Sequence, residues 1–525
     1  MASLAARQAH SHPGNVNTSR LLLLMLTATL TACGTGTSTT STPSGLGRFH
    51  SQQIAWEPCG GYATTSIETA VFDRATTAQC GYLEVPLDYR EPHGDTVRLA
   101  VMRVPAVGEA VGSLVINPGG PGGSGLFAAA ATALSLPGSR VTDRFDLVGF
   151  DTRGVGASEP AVDCFTDAEA DRGDIVLTTQ GTTVQWTAED TRHVFERCAQ
   201  GSGGADVLAG LGTRNTARDM DVLRAVLGDE RLTFLGQSYG TRLGAVYAEQ
   251  FPRNVRAMVL DGAIDPSQRT FERRVGAFSG FQRSFEQMAA FCATRPGCPL
   301  GTDPAAATDR FHEIVRPLYA AAIPALDSEL DFDGAVGGVI SGLYSEAAWP
   351  RVIAGIAQVQ QQGRGDELRQ LGYDFALRDA EGNWTNFTEA LYATNCMDEE
   401  RLSERDGNTL RARIFEAAPF MDPGVVLTGA RDGCEHWPAE PTLGFPYATD
   451  IDGLPPTLVV SITGDPTTPH AGGIRLAQTL GSALLTVEGE GHTIVTAGTN
   501  QCVNDIAADY LVDLVLPDEG ATCRL

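Results

Sequence analysis

The chain has 525 residues, 42% hydrophobic and 19% charged, enough for one large domain with a big insertion or for two to three domains. Its formal net charge of −26 argues against nucleic acid, whose phosphates it would repel, and fits an acidic, soluble surface. All 38 basic residues are arginine, so Schiff-base chemistry, a Ser-Lys dyad and a Walker-type phosphate loop are excluded, and catalysis is left to Ser, His, carboxylates or Cys.

Arg20 precedes an apolar run over residues 21–32, too short for a membrane-crossing helix of about 20 residues and fitting the core of a signal peptide. The run ends in Leu30-Thr31-Ala32-Cys33, which resembles the bacterial lipobox, whose cysteine becomes the lipidated first residue of the mature protein. Residues 1–33 are therefore expected to be a lipoprotein signal peptide. Residues 34–50, opening on a Gly/Thr/Ser/Pro-rich stretch, are expected to be a flexible tether to the membrane. The expected location is the outer face of the bacterial cytoplasmic membrane. Of 11 cysteines, Cys33 is set aside for lipid, which leaves an even set for an oxidising compartment. Sequence alone does not fix connectivity; spacing points to local pairs, Cys59–Cys80, Cys164–Cys198, Cys292–Cys298, Cys396–Cys434 and Cys502–Cys523. None has zinc-ligand spacing, and neither a metal nor a cofactor is expected.

From Cys80 the chain becomes β-rich, and residues 96–104 read as a strand by alternation and β-branched content. Residues 112–117 form a short apolar strand that runs into Pro118-Gly119-Gly120-Pro121-Gly122-Gly123-Ser124-Gly125. This loop lacks the lysine and the glycine register of a nucleotide site. Residues 145–150 are the next strand. Asp151 and Arg153 follow and are expected to fix a loop beside the site. Residues 213–228 read as an amphipathic helix, with Asn215 or Thr216 as its cap and Gly228 as its stop.

Residues 232–237 form a β-like run that meets Gly236-Gln237-Ser238-Tyr239-Gly240, and a helical pattern follows. This strand-turn-helix context is that of a nucleophile elbow with Ser238 exposed above a sheet. Residues 255–260 give one more strand. Residues 265–441 break the β/α rhythm with helical patterns at 281–292, 306–322 and 343–362 and read as an inserted cap. The flanking segments, 51–264 and 442–525, are then two parts of one core. In the second part, a strand at 456–463 delivers Gly464-Asp465-Pro466-Thr467-Thr468-Pro469. A helix at 471–480 and a strand at 483–487 lead to Gly491-His492-Thr493, and a last helix spans 503–516.

The triad order for such an elbow is Ser, then Asp or Glu, then His. Of nine histidines only His470 and His492 follow Asp465, and His470 lies on the Asp465 loop itself. Ser238, Asp465 and His492 are therefore the candidate nucleophile, orienting acid and base. Asp261, also at a strand end, is the rival acid and is expected to support the loop. The amide of Tyr239 and that of Gly119 or Gly120 are the candidate oxyanion donors.

The motifs Pro118-Gly-Gly-Pro-Gly-Gly, Gly149-Phe-Asp-Thr-Arg-Gly-Val-Gly-Ala-Ser, Gly236-Gln-Ser-Tyr-Gly-Thr, Gly464-Asp-Pro-Thr-Thr-Pro and Gly491-His492-Thr resemble those of the secreted actinobacterial tripeptidyl aminopeptidases. The similarity is greatest to the mycobacterial cell-envelope serine proteases once described as carboxylesterases. It covers about residue 56 to the C-terminus. It implies an α/β-hydrolase fold, a mostly parallel sheet with helices on both faces and a mainly helical cap. It also implies cleavage near free peptide N-termini, with esterase activity on small acyl esters as a side reaction. Prolyl aminopeptidases carry His before Gly-Gly-Pro-Gly; here the residue is Pro118, so single-residue proline specificity is not implied. Asp398, Glu399 and Glu435, near the Cys396 and Cys434 pair, are candidate partners for a substrate ammonium, against the reading of solvated surface acids. The alternative functions are a carboxylesterase acting on envelope lipid or small acyl esters and a non-catalytic binding protein of the same fold.

Overall fold

A computed structural model of the protein describes residues 45–173 and 182–525. Cys33, the expected signal peptide and most of the expected tether lie outside the described residues. The last part of that tether is folded: Gly47–His50 is a short helix, and Phe49 is buried in the core. Leu46 and Phe49 end the polar, glycine-rich composition earlier than residue 50, and the apolar ring drives docking.

The main sheet holds β1 (Gln79–Pro86), β2 (Thr96–Val104), β3 (Ser113–Asn117), β4 (Asp146–Phe150), β5 (Leu232–Gln237) and β6 (Val255–Asp261). After a small cap hairpin, β7 (Ile323–Ala325) with β8 (Ser328–Leu330), it resumes with β9 (Leu458–Gly464), β10 (Ala483–Glu490) and β11 (Thr522–Arg524). Among the described residues the sheet has nine strands in the order β1-β2-β4-β3-β5-β6-β9-β10-β11. The β1/β2 and β2/β4 pairs are antiparallel and the rest parallel. Every residue of β3 and β5 is buried, as expected of central parallel strands covered on both faces. The two-residue period sorts their side chains. Leu114, Ile116 and Leu235 join one apolar layer, and Val115 and Phe234 join the other.

The helix expected at 213–228 spans Thr213–Val226, with Gly212 ahead of it. Asn215 does not cap it; its side-chain amide donates to Gly210 O (3.0 Å), and the Thr216 hydroxyl donates to Gly212 O. The segment expected to be a cap has its own apolar core, with Phe285, Phe311, Phe332, Val352 and Phe420 among its members. Its first helix, Thr270–Ala293, is twice as long as the 281–292 pattern. The 306–322 pattern ends at Val315, because Pro317 closes the helix into a 3-10 turn, Arg316–Tyr319. The 343–362 pattern is the end of one helix, Phe332–Leu343, and all of another, Trp349–Gln362, with Pro350 in the latter's first turn. A segment before the elbow also joins the cap. Val162, Cys164, Val194, Cys198 and Leu208 pack with Tyr392, Ala393, Met397 and Trp437. All five cysteine pairs read from spacing are disulfides.

Candidate active site

Ser238 sits between β5 and the helix Tyr239–Gln250 at φ 55°, ψ −120°, a strained conformation that a strand-to-helix reversal imposes. The reversal is tight. A Cβ on Gly236 would come within 2.3 Å of Gly240 O, and one on Gly240 within 2.7 Å of Asn117 O. The Ser238 amide donates to Asp261 O (2.9 Å), which ties the elbow to β6.

Asp465 follows β9 and His492 follows β10, adjacent parallel strands whose ends carry both loops. His492 Nδ1 lies 2.8 Å from Asp465 Oδ2. Asp465 is buried, and its Oδ1 accepts from the amides of Thr467 (3.0 Å) and Thr468 (2.8 Å). The Thr468 hydroxyl donates to Asp465 Oδ2 (2.9 Å) and lies 3.3 Å from His492 Nδ1. The His492 amide donates to Tyr344 O of the cap (3.0 Å), and the Tyr344 ring meets the imidazole edge-on. Asp261 is not the orienting acid. Its Oδ2 accepts from the amides of Ile494 (2.7 Å) and Val495 (2.8 Å) and so clamps the histidine loop. Burial pushes its carboxyl above the usual range.

The glycine-rich loop lies against the elbow. A Cβ on Gly119 would come within 2.4 Å of Gln237 O and 3.0 Å of Tyr239 N. The Gly119 amide already donates to Asn117 Oδ1 (3.1 Å). The Gly120 amide has no hydrogen-bond partner among the described residues, and Gly120 lines a cavity of about 580 Å³ together with Ser238. Tyr239 opens the elbow helix, so its amide is one of the donors without an intrahelical acceptor.

The sequence model of the alpha/beta hydrolase fold matches residues 112–496. The chain belongs to the α/β-hydrolase family. It is 41% identical over 488 residues to the serine protease Hip1 of Mycobacterium tuberculosis, a match covering 90% of this chain and 91% of that protein. Carboxylesterase B of M. tuberculosis is 39% identical over 476 residues, 90% of each chain. The tripeptidyl aminopeptidase of Streptomyces coelicolor is 32% identical over 492 residues, 90% of this chain and 86% of that one.

In this α/β-hydrolase the acids read from sequence as ammonium partners are engaged elsewhere. Asp398 is buried, accepts from the Thr213 amide (2.9 Å) and hydroxyl, and lies 3.6 Å from Arg242 Nη1. Glu399 is held by Arg273 and Arg274, the latter through Nε at 2.9 Å. Burial pushes Glu399 up, but Arg273, Arg274 and Arg242 outweigh it and hold the carboxyl at about 2. Glu435 accepts from Arg431 at 3.0 and 2.9 Å and from Thr191. None of the three lines the Ser238 cavity. Asp151 and Arg153 do fix loops. Asp151 accepts from Ser124, Leu126 and Ala157, and burial with nearby Glu68 pushes it up to about 7. Arg153 is buried against Asp219 (2.6 Å). Sequence reading missed Thr468 and Tyr344. Thr468 was legible in Asp465-Pro-Thr-Thr, where a hydroxyl three residues on can return to the carboxylate. Tyr344 reaches the site only through the cap's folding.

Proposed function

We propose that this α/β-hydrolase is an exported serine peptidase that releases short peptides from the free N-termini of peptides or proteins. The observation that carries it is the contact of His492 Nδ1 with buried Asp465 at 2.8 Å, where Asp465 lines one cavity with Ser238 of the strained elbow. Ser238 attacks the acyl carbonyl, and His492 takes its proton and then passes it to the leaving amine. Asp465 holds the imidazole by Nδ1 and stabilises its charged form. The amides of Tyr239 and Gly120 bind the oxyanion, whereas Gly119 is a spacer whose own amide serves Asn117. Water then releases the acyl-enzyme. The names of the Hip1 and tripeptidyl aminopeptidase relatives support a peptidase. The relative named carboxylesterase B keeps an esterase as the second reading. Lipidation of Cys33 would anchor the enzyme to the membrane.

The soluble ectodomain is expected to react with a fluorophosphonate probe, and Ser238→Ala to abolish labelling; equal labelling of both proteins rejects the nucleophile. Free-amine tripeptide amides are expected to be cleaved faster than N-blocked ones. Faster turnover of blocked peptides selects an endopeptidase, and faster turnover of acyl esters selects the esterase reading.

A further inference from the structure

The cavity beside Ser238 is also lined by Asp265, Arg273, Arg283 and His470. Its charges divide by what already holds them. Arg273 is bound to Glu399, and Arg283 grips Glu490 through both nitrogens at 2.9 and 2.8 Å. Asp465 is consumed by His492, Thr467 and Thr468. His470 Nδ1 is 2.8 Å from the Ser461 hydroxyl, and burial lowers its pKa, which favours the uncharged ring. Asp265 is different. Its Oδ1 accepts from the Ser267 amide (2.8 Å) and hydroxyl (2.6 Å), which fixes the carboxylate on a turn. Its Oδ2 has no hydrogen bond, and its carboxylate no ion pair, among the described residues. Among the described residues, Asp265 is thus the one charged side chain lining this cavity that keeps an oxygen without a partner. It stands where the chain leaves the core for the cap, between β6 and the helix Thr270–Ala293.

Resting on the peptidase reading, we infer that Asp265 is the specificity residue that accepts the free α-ammonium group of the peptide substrate. A carboxylate fixed by one oxygen presents the other without further ordering, and an ammonium brought to it replaces its water by a charge-assisted bond. The same group gives no help to an acylated N-terminus, which has neither the charge nor the three donors.

The test compares wild type with Asp265→Asn and Asp265→Glu on trialanine p-nitroanilide with a free, an acetylated or a succinylated N-terminus, and on p-nitrophenyl acetate. Asparagine keeps an acceptor for the Ser267 turn, so the fold is preserved. The expected result is a fall in kcat/KM of about ten- to hundred-fold on the free-amine peptide alone. It should lie mainly in KM, with ester turnover unchanged and partial rescue by Glu. A wild-type preference for the free amine that Asp265→Asn leaves intact overturns this inference alone. A wild type that prefers acetylated peptide overturns the reading of a peptidase acting at free N-termini with it. Preference for the succinyl peptide does the same and assigns the cavity's selectivity to Arg273 and Arg283.

Discussion

Two aspartates at strand ends approach the histidine loop, and their partners separate their roles. Asp465 holds the imidazole itself, whereas Asp261 holds two backbone amides beyond it. Asp465→Asn presents an amide to Nδ1 and favours the wrong tautomer, so kcat is expected to fall by about 10³–10⁴. Asp261→Asn still offers an oxygen to the Ile494 and Val495 amides and is expected to cost no more than about ten-fold, roughly 1.4 kcal/mol of barrier. Steady-state kinetics on one ester substrate checks both; equal losses would erase the distinction. The order Ser238, Asp465, His492 was legible because glycine-bounded turns after apolar runs mark where strands end and what they present. The choice between Gly119 and Gly120 was not, because it turns on Asn117, whose side chain claims one amide only once the loop has folded.

Three elements meet one turn behind Ser238. Arg242 lies on the elbow helix, Arg273 and Arg274 on the first cap helix, and Asp398 and Glu399 at the end of the helix Phe387–Asp398. Glu399 finds its arginines across 125 and 126 residues of chain, so no local pattern could show that it was already engaged. Its folded pKa, about 2, lies below its ordinary 4.5. A depressed carboxylate stabilises the fold above its unfolded pKa and loses that contribution as pH falls through the folded one. For Glu399 the window runs from 4.5 down to 2, with roughly 3 kcal/mol at stake. Glu399→Gln leaves buried arginines without their acceptor and is expected to destabilise by about 3–5 kcal/mol at neutral pH. Thermal unfolding of both proteins from pH 7 to 2 should show the gap closing across that window. Burial pushes Asp398 up and Glu399 raises it further, so the gap reports Glu399 together with its coupling to Asp398. A gap that stays constant with pH would remove Glu399 from the cap–core junction.

At the scale of the whole molecule, five disulfides staple the fold and the net charge is −26; disulfides persist where thiols are kept oxidised, in line with the export we propose. The compact unit that holds the fold begins at Gly45, not after residue 50. Lipidation of Cys33, which we propose, would hold the enzyme at a membrane surface. Cys33→Ala, expressed with its own leader in a bacterial host, is expected to move the enzyme from the membrane pellet to the soluble fraction. Its kcat/KM on a soluble tripeptide amide should stay unchanged, because the catalytic groups all lie beyond Gly45. A membrane-anchored substrate protein should instead be processed more slowly, since release dilutes the enzyme away from it. Membrane retention of Cys33→Ala in the pellet at wild-type level would reject lipidation at this residue, and unchanged processing of the anchored substrate after release would reject the anchor's role in presenting it.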